Sequence, residues 1–470
     1  MISAIKLIVL SDCKAKELSE FGLSPEDAKT LAKYSDKPLL KLSKMIPGLL
    51  IFPDRIGQFG DRTEGDYLFK IENDNRIRAG KVAGFFGTGD IQIQIRSQFD
   101  EDTPAQYFFR HMIRDVLNIY LLDLPTGSSP KDNRNLLIYL FPCFLKRALA
   151  QGVFRTYRTL DRNDDHLRGA IDILRHLRLN LPFRGKIAYR TREHSGNNPL
   201  IHLIRHTIEA LRTDPRGSML LQTDESIRMA VRTIVKLTPD FNKKNLPKVI
   251  AKNLRPVCHP YYTEFASLQN ICMKILLHKN NTCGQSANML DGIVFRPDWL
   301  WQEYLAKVLD KAADKFQHGE DNSPDPLKSI PLYRDKSRTI TPDFFSSNIV
   351  MDAKYKTGVD IGRKGIPTAP SVNRDDRNQL ITYLHVRKAD AGFLIYPCNK
   401  VEKTTLMFED GGTGKLYCGS GNHCEDGGLI GFIQFAIPKG AVSFEDFQSR
   451  IRKSEEELLR IIDAYSPQKT

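Results

Sequence analysis

The spacing of apolar and polar positions divides the chain into stretches with different predicted secondary structure. In the first hundred residues, Ile91 to Arg96 alternates apolar and polar side chains, which predicts a half-buried strand. Gly87 to Asp90 predicts the hairpin turn that joins it to a strand at Val82 to Phe86. Ser24, followed by Pro25 and two acids, predicts the start of one helix within this otherwise β-rich region.

From Thr103 onward, helical spacing of apolar residues predominates. The predicted helices cover 103–122, 135–157, 199–212 and 262–278, and two strand-like segments rich in arginine lie at 167–174 and 186–192. The middle of the chain is therefore predicted to be mostly helical. Arg168, Arg190 and Arg192 either line a path for DNA or pair with local acids, and the sequence favours neither interpretation.

The last part of the chain has the pattern of an α/β domain. Polar residues with Gly and Ser at 280–288 predict a linker. After it come a helix at 298–316, strands at 338–345 and 349–356, a helix at 375–387, a strand at 392–396 and a last helix at 443–464. We predict a multidomain α/β (α+β) protein with a β-rich N-terminal domain (1–102), a mostly helical middle domain (103–285) and a C-terminal domain (286–470). The C-terminal domain is expected to have a mixed central sheet flanked by helices.

Size and charge narrow the class of protein. A chain of 470 residues is too long for one ordinary core, and 41% hydrophobic with 27% charged residues is typical of a folded protein. Lys plus Arg number 69 against 56 Asp plus Glu, so the net charge is +13. An excess of that size favours a polyanionic partner such as DNA, because surface cations displace the counterions of phosphates.

The chain has no pattern of secretion or of membrane insertion. Its eight cysteines are scattered, which does not suggest a disulfide framework. The apolar run Leu7 to Leu10 is too short for a signal peptide, and no run approaches the roughly 20 apolar residues of a membrane span. We therefore expect a cytoplasmic protein with no membrane partner.

One constellation of residues carries recognisable chemistry. Thr341-Pro342-Asp343 begins a segment that turns at Ser346 to Asn348 and returns as Ile349 to Tyr355, which predicts a β-hairpin. Asp352 and Lys354 are two residues apart and so share one face of the second strand. Asp343 can lie near Asp352 across the hairpin.

Such an arrangement suits phosphodiester hydrolysis. The carboxylates of Asp343 and Asp352 can hold Mg²⁺, with Mn²⁺ as the alternative, because these ions prefer oxygen ligands. A lysine amine such as that of Lys354 can orient the attacking water or neutralise the charge of the transition state. Glu303, on the preceding helix, is a candidate third metal ligand. Gln379 and Tyr383, spaced i and i+4 on the following helix, are candidates to contact the DNA backbone or the scissile phosphate.

The context of this motif distinguishes it from chance matches. Pro-Asp occurs five times in the chain and Asp-Ala-Lys twice, at Asp27 and at Asp352. Asp27 lies in the first turn of a predicted helix, which is a common place for an acid. Only Asp343 and Asp352 lie on paired β segments between a helix and a Gln-x-x-x-Tyr helix. The alternative is a solvated Asp-Lys pair on an edge hairpin.

The block from Thr341 to Lys356, followed by Asn378 to Tyr383, resembles the McrC family, the nuclease subunits of modification-dependent restriction systems, and the related LlaJI-type subunits. Leu167 to Asp172, Glu193 to Leu200 and Val82 to Phe99 resemble other blocks of that family more diffusely. The resemblance implies a PD-(D/E)xK nuclease core with Asp343, Asp352 and Lys354 as catalytic residues. It also implies an McrB-like AAA+ GTPase partner, which binds modified DNA and on which the N-terminal domain would dock.

Two other functions remain open at this stage. The Gln-x-x-x-Tyr helix also occurs in RecB-type nucleases, so the chain could be an exonuclease that processes DNA ends. It could instead be a non-cutting activator of an NTPase ring, although the intact set of Asp343, Asp352 and Lys354 is evidence against a vestigial site.

Overall fold

A computed structural model describes residues 6–46, 49–53, 67–72, 74–88, 91–100, 105–117, 130–222, 224–280, 291–319, 328–331, 333, 335, 339–356, 373–408, 412–418 and 425–466. The strands of these residues are β1 (Lys6–Ser11), β2 (Ala15–Glu17), β3 (Leu49–Phe52), β4 (Phe69–Ile71), β5 (Arg76–Ala79), β6 (Ala83–Thr88), β7 (Ile91–Arg96), β8 (Thr156–Asp164), β9 (Ala170–Ile171), β10 (Ile187–Ser195), β11 (Asp291–Phe295), β12 (Gln317–His318), β13 (Ile330–Pro331), β14 (Thr339–Ile340), β15 (Phe344–Phe345), β16 (Ile349–Ala353), β17 (Ala391–Cys398), β18 (Thr405–Met407), β19 (Lys415–Cys418) and β20 (Glu425–Ala436).

The helices are α1 (Pro25–Ala32), α2 (Leu39–Met45), α3 (Tyr107–Leu117), α4 (Pro130–Ala150), α5 (Ile173–Leu179), α6 (Pro199–Arg212), α7 (Pro215–Leu220), α8 (Glu225–Leu237), α9 (Leu246–Lys252), α10 (Glu264–Asn280), α11 (Pro297–Leu309), α12 (Arg374–Arg387) and α13 (Phe444–Asp463). None of the described helices is both long enough and apolar enough to cross a membrane.

The chain forms two compact units. Unit 1 contains residues 1–121, 125–128 and 287–470, and unit 2 contains residues 122–124 and 129–286. Residues 1–102 and 287–470, which make up nearly all of the predicted N-terminal and C-terminal domains, thus belong to one unit. Residues 103–121 and 125–128 of the predicted middle domain belong to the same unit, and the rest of that range forms the other unit. The two predicted boundaries and most of the predicted linker lie outside the described residues. The division of roles among three domains stays a prediction.

The first sheet of unit 1 has the order β1-β7-β6-β11-β3. β6 and β7 form the predicted antiparallel hairpin, whose tip at 89–90 lies outside the described residues. β11, which the sequence analysis did not predict, comes from the last part of the chain and lies between β6 and β3. The same region contains a smaller sheet, β2-β5-β4, the predicted helix α1, which the side chain of Ser24 caps as expected, and α2, which was not predicted.

The second large sheet of unit 1 has seven strands, with the order β12-β15-β16-β17-β20-β18 and β19 beside β20. It is mixed, because β15 and β16 are antiparallel while β16, β17 and β20 are parallel. Neighbouring residues of a strand face opposite sides. Leu394 belongs to a core with Leu380 and Leu384 of α12, while Trp301 of α11 packs against Phe435 of β20. Helices therefore cover both faces of the sheet, as predicted. The sequence did not predict strand β20.

Unit 2 is mostly helical, as predicted, and α6 has the predicted bounds. Two other predictions for this unit were wrong. The helix expected at 135–157 ends at Ala150, and Tyr157 lies in β8, which pairs along its length with β10. The strand expected at 167–174 is short, because Asp172 accepts a hydrogen bond of 3.1 Å from the Arg175 backbone N–H and so begins α5.

The surface of unit 2 has two features that bear on its role. Arg190 forms ion pairs with Asp161 (3.3 Å) and Asp172 (2.9 Å), and the Arg192 guanidinium lies 4.7 Å from the centre of the Tyr157 ring. These two arginines are thus engaged locally. Nine of the eighteen large hydrophobic side chains that are exposed among the described residues lie between Tyr157 and Phe183. This segment therefore presents an apolar surface to solvent.

Candidate active site

The predicted hairpin is formed by β15 and β16. Phe344 pairs with Met351 and Phe345 with Val350, so the next pair in register brings Asp343 opposite Asp352. The Ala353 backbone N–H donates a hydrogen bond of 2.7 Å to Oδ2 of Asp343. The two carboxylates predicted from the sequence are therefore cross-strand neighbours, and Asp352 is almost completely buried, with 3% of its surface exposed.

Lys354 extends the same strand and faces the same side as Asp352. Its backbone N–H donates to the Ile395 carbonyl of β17 at 3.0 Å, which continues the ladder one residue beyond β16. Its ammonium forms an ion pair with Oδ2 of Asp352, although that oxygen accepts no hydrogen bond of normal geometry. The mostly buried ammonium thus lies directly beside a buried carboxylate.

The pKa values of both members of this pair are raised, for different reasons. Burial raises the pKa of the Asp352 carboxyl, and the neighbouring Lys354 ammonium and a hydrogen bond with Asp343 only partly offset the effect. Burial alone would lower the pKa of Lys354, but the carboxylates of Asp352 and Asp343 outweigh it, and the pKa is raised. Lys354 is therefore a cation at neutral pH, able to donate hydrogen bonds and to neutralise charge but not to accept a proton.

The two residues predicted on the following helix, Gln379 and Tyr383, form a chain of hydrogen bonds that begins at Lys354. The Lys354 ammonium donates a hydrogen bond of 2.8 Å to Oε1 of Gln379, and Nε2 of Gln379 donates to the Tyr383 hydroxyl at 2.6 Å. Tyr383 is buried in the core between α12 and the sheet. The i, i+4 spacing on α12 thus brings Gln379 and Tyr383 to the site, where they orient the lysine.

The carboxylate oxygens of Glu303, Asp343 and Asp352 do not all lie within 4.8 Å of one another, and Glu303 as a metal ligand stays a prediction. Its neighbour Gln302 donates a hydrogen bond of 2.8 Å from Nε2 to Oδ1 of Asp343, whereas Glu303 forms no hydrogen bond or ion pair with a described residue. Across the described ranges, three acidic, His or Cys side chains come within 4.8 Å of one another only at His111, Asp115 and Glu455. Successive residues of an α-helix point about 100° apart, so one position decides which of them meets the hairpin.

A third buried acid near the site was missed by the sequence analysis. Asp376 of α12 is 8% exposed, forms an ion pair with Lys356, and accepts a hydrogen bond of 3.2 Å from the Tyr396 hydroxyl. It contributes to the raised pKa of Asp352. Its position three residues before Gln379 on one helix face could have revealed it, since i and i+3 residues are neighbours on a helix.

The donor set fits a hard divalent cation. Asp343 and Asp352 supply carboxylate oxygens, the ligand type that Mg²⁺ and Mn²⁺ prefer. The buried Oδ2 of Asp352 has an ion pair with the Lys354 ammonium but no hydrogen bond of normal geometry, so it has lone-pair capacity left for a bound cation. Two protein carboxylates leave most of an octahedral shell to water and substrate, as is usual for Mg²⁺.

Comparison with known proteins identifies the family of the chain. Residues 77–397, more than half of the chain, match the family model described as "McrBC 5-methylcytosine restriction system component". The chain therefore belongs to this family of restriction-system components. No curated protein sequence matches the chain.

Two solved structures from Thermococcus gammatolerans are similar to the chain. One is described as a half-complex from a tetradecameric assembly of McrB AAA+ hexamers with bound McrC. The similarity covers 97% of this chain and 100% of that one at 15% identity, with a TM-score of 0.50. The other, the McrBC complex, covers 66% of this chain and 89% of that one at 17% identity, with a TM-score of 0.33. At this level of identity, the first similarity concerns the fold alone.

Proposed function

We propose that the chain is the DNA-cutting subunit of a modification-dependent restriction system and is a Mg²⁺-dependent endonuclease of the PD-(D/E)xK type. The observation that carries the proposal is the placement of Asp343, Asp352 and Lys354 at one end of a hairpin in a mixed sheet. Membership of the McrBC family supports the same function. The expected compartment is the cytoplasm, where invading DNA would be met.

The residues of the site have distinct roles in this proposal. Asp343 and Asp352 would hold Mg²⁺, with Gln302 orienting Asp343. The bound ion supplies positive charge to the phosphate and acidifies a water. Lys354 would place its ammonium beside the scissile phosphate, where it stabilises the additional negative charge of the transition state. Gln379 restricts the lysine to that position, because its side-chain oxygen accepts one of the three ammonium protons.

The proposed partners are modified DNA and an McrB-like AAA+ GTPase. The similar solved structure is described as McrB AAA+ hexamers with bound McrC, and the family model is described as a component of a 5-methylcytosine restriction system. The net charge of +13 favours DNA as the substrate. We propose that the chain stimulates GTP hydrolysis by the ring and that this hydrolysis gates cutting.

The test is nicking of methylated supercoiled plasmid with Mg²⁺, GTP and the McrB-like protein encoded beside this chain. Lys354→Ala should abolish cutting while DNA binding persists. Lys403→Ala is a matched control, because it removes the same charge at an exposed position outside the site and should cut normally. Equal cutting by Lys354→Ala and wild type would show that the hairpin is not the active site.

The same assay distinguishes the other functions. A closed circular substrate is linearised by an endonuclease and is resistant to an exonuclease, so a requirement for free ends would favour the end-processing function. If no metal or nucleotide supports cutting but GTP hydrolysis by the ring still rises, the chain is an activator. Asp352→Ala should stop cutting and preserve this stimulation if the two roles are separate.

A further inference from the structure

Tyr355, the residue after Lys354, connects the proposed catalytic strand to the first sheet of unit 1. Its hydroxyl lies 2.6 Å from Oγ of Ser97, the residue directly after β7. Side chains alternate along an extended strand, so Tyr355 points away from the side that Asp352 and Lys354 share. One strand end thus carries the lysine on one side and this hydrogen bond on the other.

The segment that receives Tyr355 is held on several sides. The ring of Phe99 lies edge-on to the Tyr355 ring, with 5.1 Å between centroids. Asp100 accepts hydrogen bonds from the backbone N–H groups of Phe108 (3.0 Å) and Phe109 (2.7 Å) and so caps the first turn of α3. Ser97, Phe99 and Asp100 are each at most 5% exposed. The Ser97 hydroxyl is therefore a fixed point, and not a mobile surface group.

The end of the catalytic strand needs such a fixed point. The last residue pair of β16 with β17 is Ala353 with Ile395, and the Lys354 N–H makes the final ladder hydrogen bond. Beyond it the strand has no backbone pairing with β17 among the described residues. The lysine ammonium is several rotatable bonds from the backbone, so a small rotation of the strand end displaces it. Displacements of about 1 Å can cost roughly 100-fold in rate.

We propose that Tyr355 is a positioning residue for Lys354 and that its hydrogen bond with Ser97 sets the distance from the lysine ammonium to Asp352 and Gln379. This inference rests on the proposed function of Lys354. The residues that position Lys354 then include one outside the seven-stranded sheet, because the Ser97 hydroxyl at the end of β7 helps to hold the catalytic strand.

The test compares Tyr355→Phe, which removes only this hydrogen bond, with Ser97→Ala, which also removes the oxygen that accepts a hydrogen bond of 3.2 Å from the Phe99 backbone N–H. Each should lower kcat for plasmid nicking about tenfold with KM for DNA unchanged, and only Ser97→Ala, which leaves the buried Phe99 N–H without an acceptor, should clearly lower the melting temperature. The double variant should be no slower than Ser97→Ala alone, because the hydrogen bond that Tyr355→Phe removes is already lost in Ser97→Ala. Ser97→Thr, which retains the hydroxyl, should restore the rate. Tyr261→Phe, at an exposed tyrosine, is the matched control.

Single variants as fast as wild type, or losses that multiply in the double variant, would overturn the inference. A second measurement does not depend on cutting. In protein labelled with ¹³C-lysine, the Lys354 side-chain resonance, assigned with Lys354→Arg, should shift in Tyr355→Phe and not in Tyr261→Phe. If wild type fails to cut but this shift occurs, the proposed function is wrong and the positioning stands. An unchanged resonance would refute the positioning whatever the activity.

Discussion

The Lys354 ammonium donates a hydrogen bond of 2.8 Å to the side-chain oxygen of Gln379, which joins the proposed catalytic strand to α12. Gln379 in turn donates to the buried hydroxyl of Tyr383 at 2.6 Å. An ammonium held in this way has fewer accessible rotamers than a free lysine. Its place beside Asp352 is therefore set before any substrate binds, which is what preorganised electrostatic stabilisation requires.

Gln379→Ala should lower the nicking rate about 10–100-fold, the usual cost of losing a group that orients a ligand or catalytic residue. DNA binding should change little, because Lys354 keeps its charge. The measurement is the single-turnover rate of plasmid nicking with the partner present. Asn378→Ala, at the exposed neighbouring position, is the control and should retain the full rate. A rate for Gln379→Ala equal to that of this control would contradict the positioning role.

Gln302→Ala should weaken Mg²⁺ binding about 10–100-fold, since Asp343 loses the amide that orients its carboxylate. Glu303→Ala, one residue further along the same helix, should have little effect. Calorimetric titration of the full chain with Mg²⁺ measures both variants. If Glu303→Ala weakened binding more than Gln302→Ala, Glu303 would be the third ligand that the sequence suggested.

The buried carboxyls at the ends of β1 and β7 should make stability depend on pH. Burial raises the pKa of Asp12 to about 8 and that of Asp100 to about 7 in the folded protein, from the ordinary value of 3.8. Between pH 4 and 8 the unfolded chain has therefore released protons that the folded protein retains. The free energy of unfolding should fall as pH rises through this window.

Asp12→Asn isolates the part of this effect that comes from Asp12. The amide oxygen can still accept the hydrogen bond from the Gln98 backbone N–H, but no proton is exchanged. Urea denaturation at pH 5 and pH 8 should show a smaller loss of stability in Asp12→Asn than in wild type. Asp100, whose charge helps to raise the pKa of Asp12, is present in both proteins. An identical loss would show that Asp12 is ionised in the folded protein.

The apolar surface of unit 2 is expected to contact the AAA+ partner. Leu174 of α5 is 71% exposed, and a cluster of such side chains is typical of an interaction surface. Leu174→Asp should weaken association with the McrB-like ring by tenfold or more with the melting temperature unchanged. Leu40→Asp, at an exposed leucine of α2, tests the N-terminal docking predicted from the sequence. The variant that weakens binding identifies which of the two surfaces is used.

Much of the candidate site follows from the sequence, because its parts are local. Asp352 and Lys354 share a face through the two-residue period of a strand, and a hairpin of this length places Asp343 opposite Asp352. Gln379 and Tyr383 share a face through the period of a helix. The helical bounds of α6 and α12 were predicted to within a residue for the same reason. These relationships depend on spacing along the chain and not on what packs around it.

Other features depend on contacts between distant segments, and only the tertiary structure decided them. The rotation of α11 against the hairpin selects Gln302 over Glu303, although both are half-buried. β11 pairs with β3 on one side and β6 on the other, both of which come from a distant part of the chain, and no local pattern indicates this pairing. The hydrogen bond between Ser97 and Tyr355 spans 258 residues of sequence. Side-chain periodicity determines which residues share a face, but the packing of whole elements determines what that face meets.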